Sequence, residues 1–214
     1  MTDTHDRLRH VYWVGGTGGA GKSTVSTRLA ERHGLQLYRF DDSGPRHSPR
    51  ATSTRQPEFA AFIAMTMDER WLLRSPDEMA RNALAGWAER FEFVLDELLA
   101  MPATPGIVAE GIGLLPESVA DVVGDVRRAV FLVQTPAFLP GADDARQGLT
   151  SMTQRTSDPP RALANLMRRN ELLADHIRSE AQRRGMRVID VDERLTLERA
   201  VRLVEEQFGL AVSP

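Results

Sequence analysis

Gly16-Thr17-Gly18-Gly19-Ala20-Gly21-Lys22-Ser23 fits the pattern G-x-x-x-x-G-K-[ST] at every position. The residue types answer one chemical need. Glycines let successive backbone N–H groups curl round phosphate oxygens, and a helix starting at Lys22 adds the positive end of its dipole. Lys22 is expected to reach the β- and γ-phosphates and the Ser23 hydroxyl to bind Mg²⁺, with Thr24 beside it in the first helical turn. Lys22 is also the only lysine in the chain, against 26 arginines. A codon bias toward arginine explains the 26 but not the survivor. A compact ammonium suits a phosphate pocket in a way that a broad planar guanidinium does not. The chain is therefore expected to bind a nucleoside triphosphate, ATP, with Mg²⁺.

Transfer of a phosphoryl group to a hydroxyl needs a side chain that orients the hydroxyl or takes its proton. Asp41-Asp42 ends the strand-like stretch Leu35–Phe40, and Glu110 ends the short apolar run Ile107–Glu110. Read as parallel strands, both runs deliver their carboxylates to the edge of the sheet where ligands bind. Strand alternation points Asp41 and Asp42 to opposite sides, so one of them faces the phosphates; both serving merely as a strand terminus is the alternative. A lone carboxylate on a buried strand is costly. Glu110 is thus expected to hold Mg²⁺ through water, to bind substrate, or to have a structural hydrogen-bond partner. Gly111 and Gly113 after it leave room for a ligand or make a turn.

The elements that carry these residues alternate between strand and helix, which predicts an α/β domain of three layers. Strands are expected at Val11–Gly15, Leu35–Phe40, Ile107–Glu110, Ala129–Gln134 and Arg187–Val191. Helices are expected at Lys22–His33, Glu58–Leu73, Asp77–Ala100, Arg161–Arg184 and Leu197–Phe208. Ser75-Pro76-Asp77-Glu78 is a capping box with proline at the first helical position. Leu84, Trp87, Phe91, Val94 and Leu98 keep helical spacing and read as core. The chain reads as one domain over 1–214. Residues 1–9 read as a flexible tail, about 43–100 as a substrate-side insertion, and about 140–160 as a lid.

Composition narrows the class further. With 214 residues, 42% of them hydrophobic, and a net charge of −3, the chain is a globular domain without a nucleic-acid footprint. It has no cysteine, which excludes disulfides and thiolate chemistry. No apolar run is long enough to cross a membrane, and the charged start is not a secretory signal, so a cytoplasmic monomer or homodimer is expected.

A GTPase needs a lysine in its N-K-x-D motif, and none exists outside the glycine loop. No transporter-type L-S-G-G-Q signature is present either. The sequence resembles the P-loop kinases, the group containing adenylate, shikimate, gluconate and uridine kinases. The resemblance rests on the glycine loop, on Asp41-Asp42, on Glu110-Gly111, on Arg169-Asn170-Glu171-Leu172, and on Val188-Ile189-Asp190-Val191-Asp192. It implies a five-stranded parallel sheet ordered 2-3-1-4-5. It implies Asp42 as the residue handling the acceptor hydroxyl, with Asp41 second, and Asp192 beside the adenine. It also places a lid in Pro140–Pro160, whose candidate arginines are Arg146, Arg155, Arg161, Arg168 and Arg169, led by Arg169 and Arg155. Arg46, His47, Arg50 and Arg55 make the loop after the Asp pair basic, as an anion receptor or as an exposed flexible loop. The activity implied is ATP- and Mg²⁺-dependent phosphorylation of a hydroxyl on a small metabolite, nucleoside or antibiotic. The alternative is a regulatory ATPase whose output is a change of shape.

Overall fold

The computed structural model describes residues 2–136, 138 and 143–210, and side chains over 4–136, 138 and 148–210. The central strand β1 (Val11–Gly16) lies between β3 (Ile107–Glu110) and β4 (Ala129–Gln134). Outside these lie β2 (Gln36–Arg39) and β5 (Arg187–Val191), giving one parallel sheet in the expected order 2-3-1-4-5. Every residue of β3 and β4 is buried. That is why these strands read as unbroken apolar runs rather than alternating ones: helices cover both of their faces.

One face packs against α2 (Lys22–His33) and α10 (Leu197–Phe208), through Val14, Leu29, Val130 and Val201. The other packs against α6 (Pro76–Ala100), α7 (Pro116–Ala120) and α9 (Pro159–Arg183), through Trp13, Phe91, Leu98, Phe131 and Ile177. The chain runs outward from β1 in opposite directions to reach β2 and β4. That reversal opens a crevice at the carboxyl ends of the strands, where the glycine loop sits.

Caps explain the helix boundaries. Ser75 and Glu78 form the capping box that starts α6, and Gly34 in the left-handed conformation closes α2. The expected helix 58–73 is instead two, α4 (Pro57–Ala64) and α5 (Met67–Trp71). Thr66 and Glu69 build a second capping box there, and Arg70 donates to the Phe62 and Ile63 carbonyls at 3.1 and 2.9 Å.

Three stretches read as loop or tail carry structure. Thr2–Arg7 is a helix, α1, with Leu8 buried behind it and His5 bonded to the Asp121 carbonyl at 2.9 Å. The stretch after β2 is a run of short helical turns: Asp41–Ser43, then α3 (Gly44–His47), then Ser48–Arg50. The expected lid contains α8 (Asp143–Thr153). Among the described residues no helix is long and apolar enough to cross a membrane.

Candidate active site

The glycine loop is pinned to the sheet from both ends. Thr17 donates its N–H to the Leu132 carbonyl, and its hydroxyl accepts from the Gln134 N–H, each at 3.0 Å. The Gln134 side chain then donates to the Gly19 carbonyl at 3.1 Å. Gly16 has φ 127°, and a Cβ there would lie 1.9 Å from the Leu132 carbonyl oxygen, so only glycine allows this approach. Gly21 caps α2 in the left-handed conformation with no side-chain cap, leaving the first-turn N–H groups of α2 open to an anion. Ser23 and Thr24 are exposed in that turn, as their proposed phosphate and metal contacts require.

Lys22, the first residue of α2 as expected, is 5% exposed and donates to the Thr17 carbonyl at 2.7 Å. Burial pulls its pKa below the usual lysine value, against the opposing charges of Asp41 and Glu110. Three expected site residues therefore share one electrostatic neighbourhood.

Glu110 is 1% exposed, and its Oε2 has no hydrogen-bond partner. Burial raises its pKa, opposed by a hydrogen bond from Ser23 and the charge of Lys22, with Arg39 3.9 Å away. An orphaned carboxylate oxygen beside an exposed hydroxyl is an all-oxygen donor pair that fits Mg²⁺, which takes few protein ligands beside water and phosphate. Gly111 and Gly113 leave room for a side chain rather than a ligand. A Cβ at either would strike Phe40, at 2.5 and 2.0 Å.

The Asp pair departs from its expected geometry. Phe40 is already helical, with φ −59° and ψ −41°, so the chain leaves the strand before Asp41 and alternation does not apply. Both aspartates are exposed. Asp41 is near enough for its charge to act on Lys22, Glu110 and Arg90, whereas Asp42 acts on none of them. By charge it is Asp41, rather than Asp42, that is coupled to these buried groups.

The basic loop is latched rather than free. Arg46 pairs with Glu97 at 3.0 Å, Arg50 with Asp96 at 2.6 Å and Arg55 with Glu92 at 2.7 Å, all along α6. His47 is fully buried, 3.3 Å from Glu97. These groups are therefore held along α6 rather than left on a loose loop. Burial pushes the Glu97 carboxyl up, but hydrogen bonds from Arg46 and Tyr38 and the His47 and Arg46 charges outweigh it, bringing the pKa to about 2. A carboxyl held below its ordinary 4.5 adds stability above that value, and the contribution is lost as pH falls toward 2. Urea midpoints measured from pH 6 to pH 2.5 should fall less steeply for Glu97→Gln than for the unaltered chain; parallel curves would dismiss the latch as a source of acid sensitivity.

Arg90, which the sequence reading missed, holds this turn from beneath. It donates to the Ser43 hydroxyl at 2.9 Å and the Phe40 carbonyl at 3.3 Å, and stacks 3.9 Å over the Phe40 ring. Burial lowers its pKa to about 10, with Asp41 pulling the other way.

Arg90 also lines a cleft of about 90 Å³ between α4, α5, α6 and α9. Arg169 lines the same cleft, 9% exposed, and burial alone lowers its pKa to about 10. The other lid candidates are not gathered here. Arg155 and Arg161 are exposed, Arg168 pairs with Glu171 at 2.7 Å, and the Arg146 side chain lies outside the described residues. Asp192 accepts from the N–H groups of Arg194 and Leu195 at 2.9 and 3.1 Å, so its carboxylate caps the turn after β5. That turn borders a surface depression with Thr135 and Phe138, adjoining the Gln134 that holds the glycine loop. A base bound there would meet the turn's backbone and Phe138 rather than a free Asp192 carboxylate.

No protein-family model matches the chain, and no curated protein matches it. Among solved structures it is similar to a shikimate kinase from Acinetobacter baumannii in complex with shikimate, at 16% identity over 95% of each chain, with a TM-score of 0.42. That likeness is one of fold.

Proposed function

We propose that this chain is an ATP- and Mg²⁺-dependent small-molecule kinase acting on a hydroxyl group. The observation that carries this reading is the position of Asp41. Its charge acts on Lys22 and Glu110 and also on Arg90, which lines the adjoining cleft. A carboxylate whose charge reaches both the phosphate-loop lysine and a cleft residue is a candidate base for an acceptor hydroxyl.

The glycine-loop N–H groups and the start of α2 bind the phosphates, and Lys22 carries a positive charge to the β- and γ-positions. Ser23 and Glu110 would hold Mg²⁺, which when bound neutralises charge on the phosphates. The acceptor oxygen attacks the γ-phosphorus, the bond from that phosphorus to the bridging oxygen breaks, and ADP leaves. Asp41 takes the hydroxyl proton and passes it to solvent. Arg90 keeps the Asp41 turn in register, and Lys22 and the loop N–H groups are what the described residues offer to the charge that develops in the transition state.

The test is ADP release measured with Mg-ATP against a library of small hydroxyl compounds. Slow basal hydrolysis, raised strongly by one chemical class and accompanied by a phosphorylated product, is expected. Hydrolysis that no acceptor raises would move the chain to the regulatory ATPases.

A further inference from the structure

The backbone of the glycine loop alternates in hand. Gly19 has φ 73° and Gly21 φ 76°, whereas Ala20 between them and Lys22 after them keep negative φ. Such alternation turns successive N–H groups toward one point, the concavity that receives an anion. In a planar trans peptide the carbonyl points opposite to the N–H, so this concavity exists only while the loop carbonyls face outward.

Glycine permits that shape and also makes it easy to lose. Gly18 and Gly19 are both exposed. With no Cβ at Gly19, its ψ and the φ of Ala20 can rotate together and turn the peptide between them over. Turned over, that peptide would aim the Gly19 carbonyl oxygen at the phosphates, the negative end of a dipole toward negative charge. The N–H of the same peptide, on Ala20, makes a long bond of 3.4 Å to the Thr17 carbonyl.

Gln134 opposes the rotation from a rigid base. It ends β4, a strand otherwise of Ala, Val, Phe and Leu, and is 1% exposed, where a further apolar residue would fill the space without a polar group to satisfy. Its side-chain amide donates to the Gly19 carbonyl at 3.1 Å, and its backbone N–H donates to the Thr17 hydroxyl at 3.0 Å. The strand is paired with β1 on one side and β5 on the other. Thr135, the next residue, donates its N–H to the Val191 carbonyl at 3.0 Å.

We infer that Gln134 is a positioning residue for the phosphates: its amide holds the Gly19 carbonyl outward, so the loop N–H groups stay converged before any nucleotide arrives. The inference rests on the nucleotide-binding half of the kinase reading and not on phosphoryl transfer.

Calorimetric titration of the full chain with ADP and with inorganic pyrophosphate, at pH 8 and pH 5.5, tests it. Gln134→Leu removes the donor and should bind both probes roughly tenfold more weakly at either pH, the worth of one buried hydrogen bond, with little change in melting temperature. Gln134→Glu keeps the shape and makes the donor depend on a proton. At pH 8 its carboxylate faces the Gly19 carbonyl with acceptors only, and binding should be at least as weak as in the leucine variant. At pH 5.5 a carboxyl buried there is protonated and donates to the same carbonyl. Affinity should then return to within about twofold of the unaltered chain at that pH, a recovery that lost packing alone would not give. Either variant binding as tightly as the unaltered chain at pH 8 would overturn the inference. So would a ratio between Gln134→Glu and the unaltered chain that does not move with pH. The nucleotide reading fails in a different way: an unaltered chain that binds neither probe removes that reading and this role with it, whereas tight binding that both variants retain removes the role of Gln134 alone.

Discussion

Lys22→Ala should lower phosphoryl transfer by about 10³-fold or more while the protein stays folded. The ammonium is the one side-chain charge the glycine loop presents, and the loop's N–H groups cannot replace a full positive charge as charge migrates to the leaving oxygen. The fold has little need of it. Burial already disfavours the charged form, and its one hydrogen bond goes to the Thr17 carbonyl of its own loop. The melting temperature should therefore hold within a few degrees, and ATP affinity should weaken. Lys22→Arg should rescue little, because a wide fork does not fit a 5%-exposed site closed by Thr17. Rates of ADP formation, ATP affinity and thermal melts on the two variants decide it. A folded Lys22→Ala protein with undiminished turnover would remove the kinase reading altogether.

How much of this site the sequence discloses depends on how many constraints each residue obeys. The glycine loop is legible because its residues answer to a ligand at fixed spacing, independent of tertiary context. The inner strands are legible for a related reason: β3 and β4, buried along their whole length, are largely apolar runs, and the boundaries of all five strands match the structure closely. Asp41 and Asp42 are less legible. The alternation argument assumed that the strand ran through Phe40, but β2 stops at Arg39 and the chain turns helical at Phe40. Part of what turns it is remote in sequence: Arg90, together with the nearby Ser43, donates to the Phe40 carbonyl. Local propensity carries no trace of the Arg90 contact.

The loop after the Asp pair fails for the same reason. Pro45 and Pro49 suggested irregular chain, yet each sits in the first turn of a short helical segment. The acids of α6 then neutralise its arginines one by one, and nothing local foretells their pairing. Arg90 and Arg169 did leave a signal. Arg90 stands three residues after Trp87 and four before Val94, and Arg169 stands between Leu166 and Leu173, so each interrupts an otherwise apolar stripe. A charge on a buried stripe is costly without a partner. Arg90 has its partner in the Asp41 turn; among the described residues Arg169 has Asn170 and the rings of Trp71 and Trp87, with its Nε unpartnered. Gln134 gave no such signal, since a polar residue ending a strand is ordinary.

Asp41→Asn should lower phosphoryl transfer by roughly 10²–10⁴-fold, the usual worth of a positioned acid or base. The asparagine keeps the size and exposure of the aspartate but takes no proton. ATP affinity should change little, because the loop N–H groups and Lys22 supply it and Asp41 is exposed beyond them. Stability should change little as well, since Asp41 makes no hydrogen bond that holds the turn; Ser43 and Arg90 do that. Asp42→Asn is the control, because its carboxylate acts on neither Lys22, Glu110 nor Arg90. The structure therefore expects a large effect at 41 and a small one at 42, the reverse of the order the family resemblance implies. Turnover with the best acceptor, nucleotide affinity and melting temperature on both variants separate the cases. A loss confined to Asp42→Asn would restore the resemblance's order and require the turn to reorganise when substrates bind. A loss in neither would take the pair out of the mechanism. Glu110, buried beside Ser23 with one oxygen unpartnered, would then be the remaining carboxylate able to meet the reacting groups.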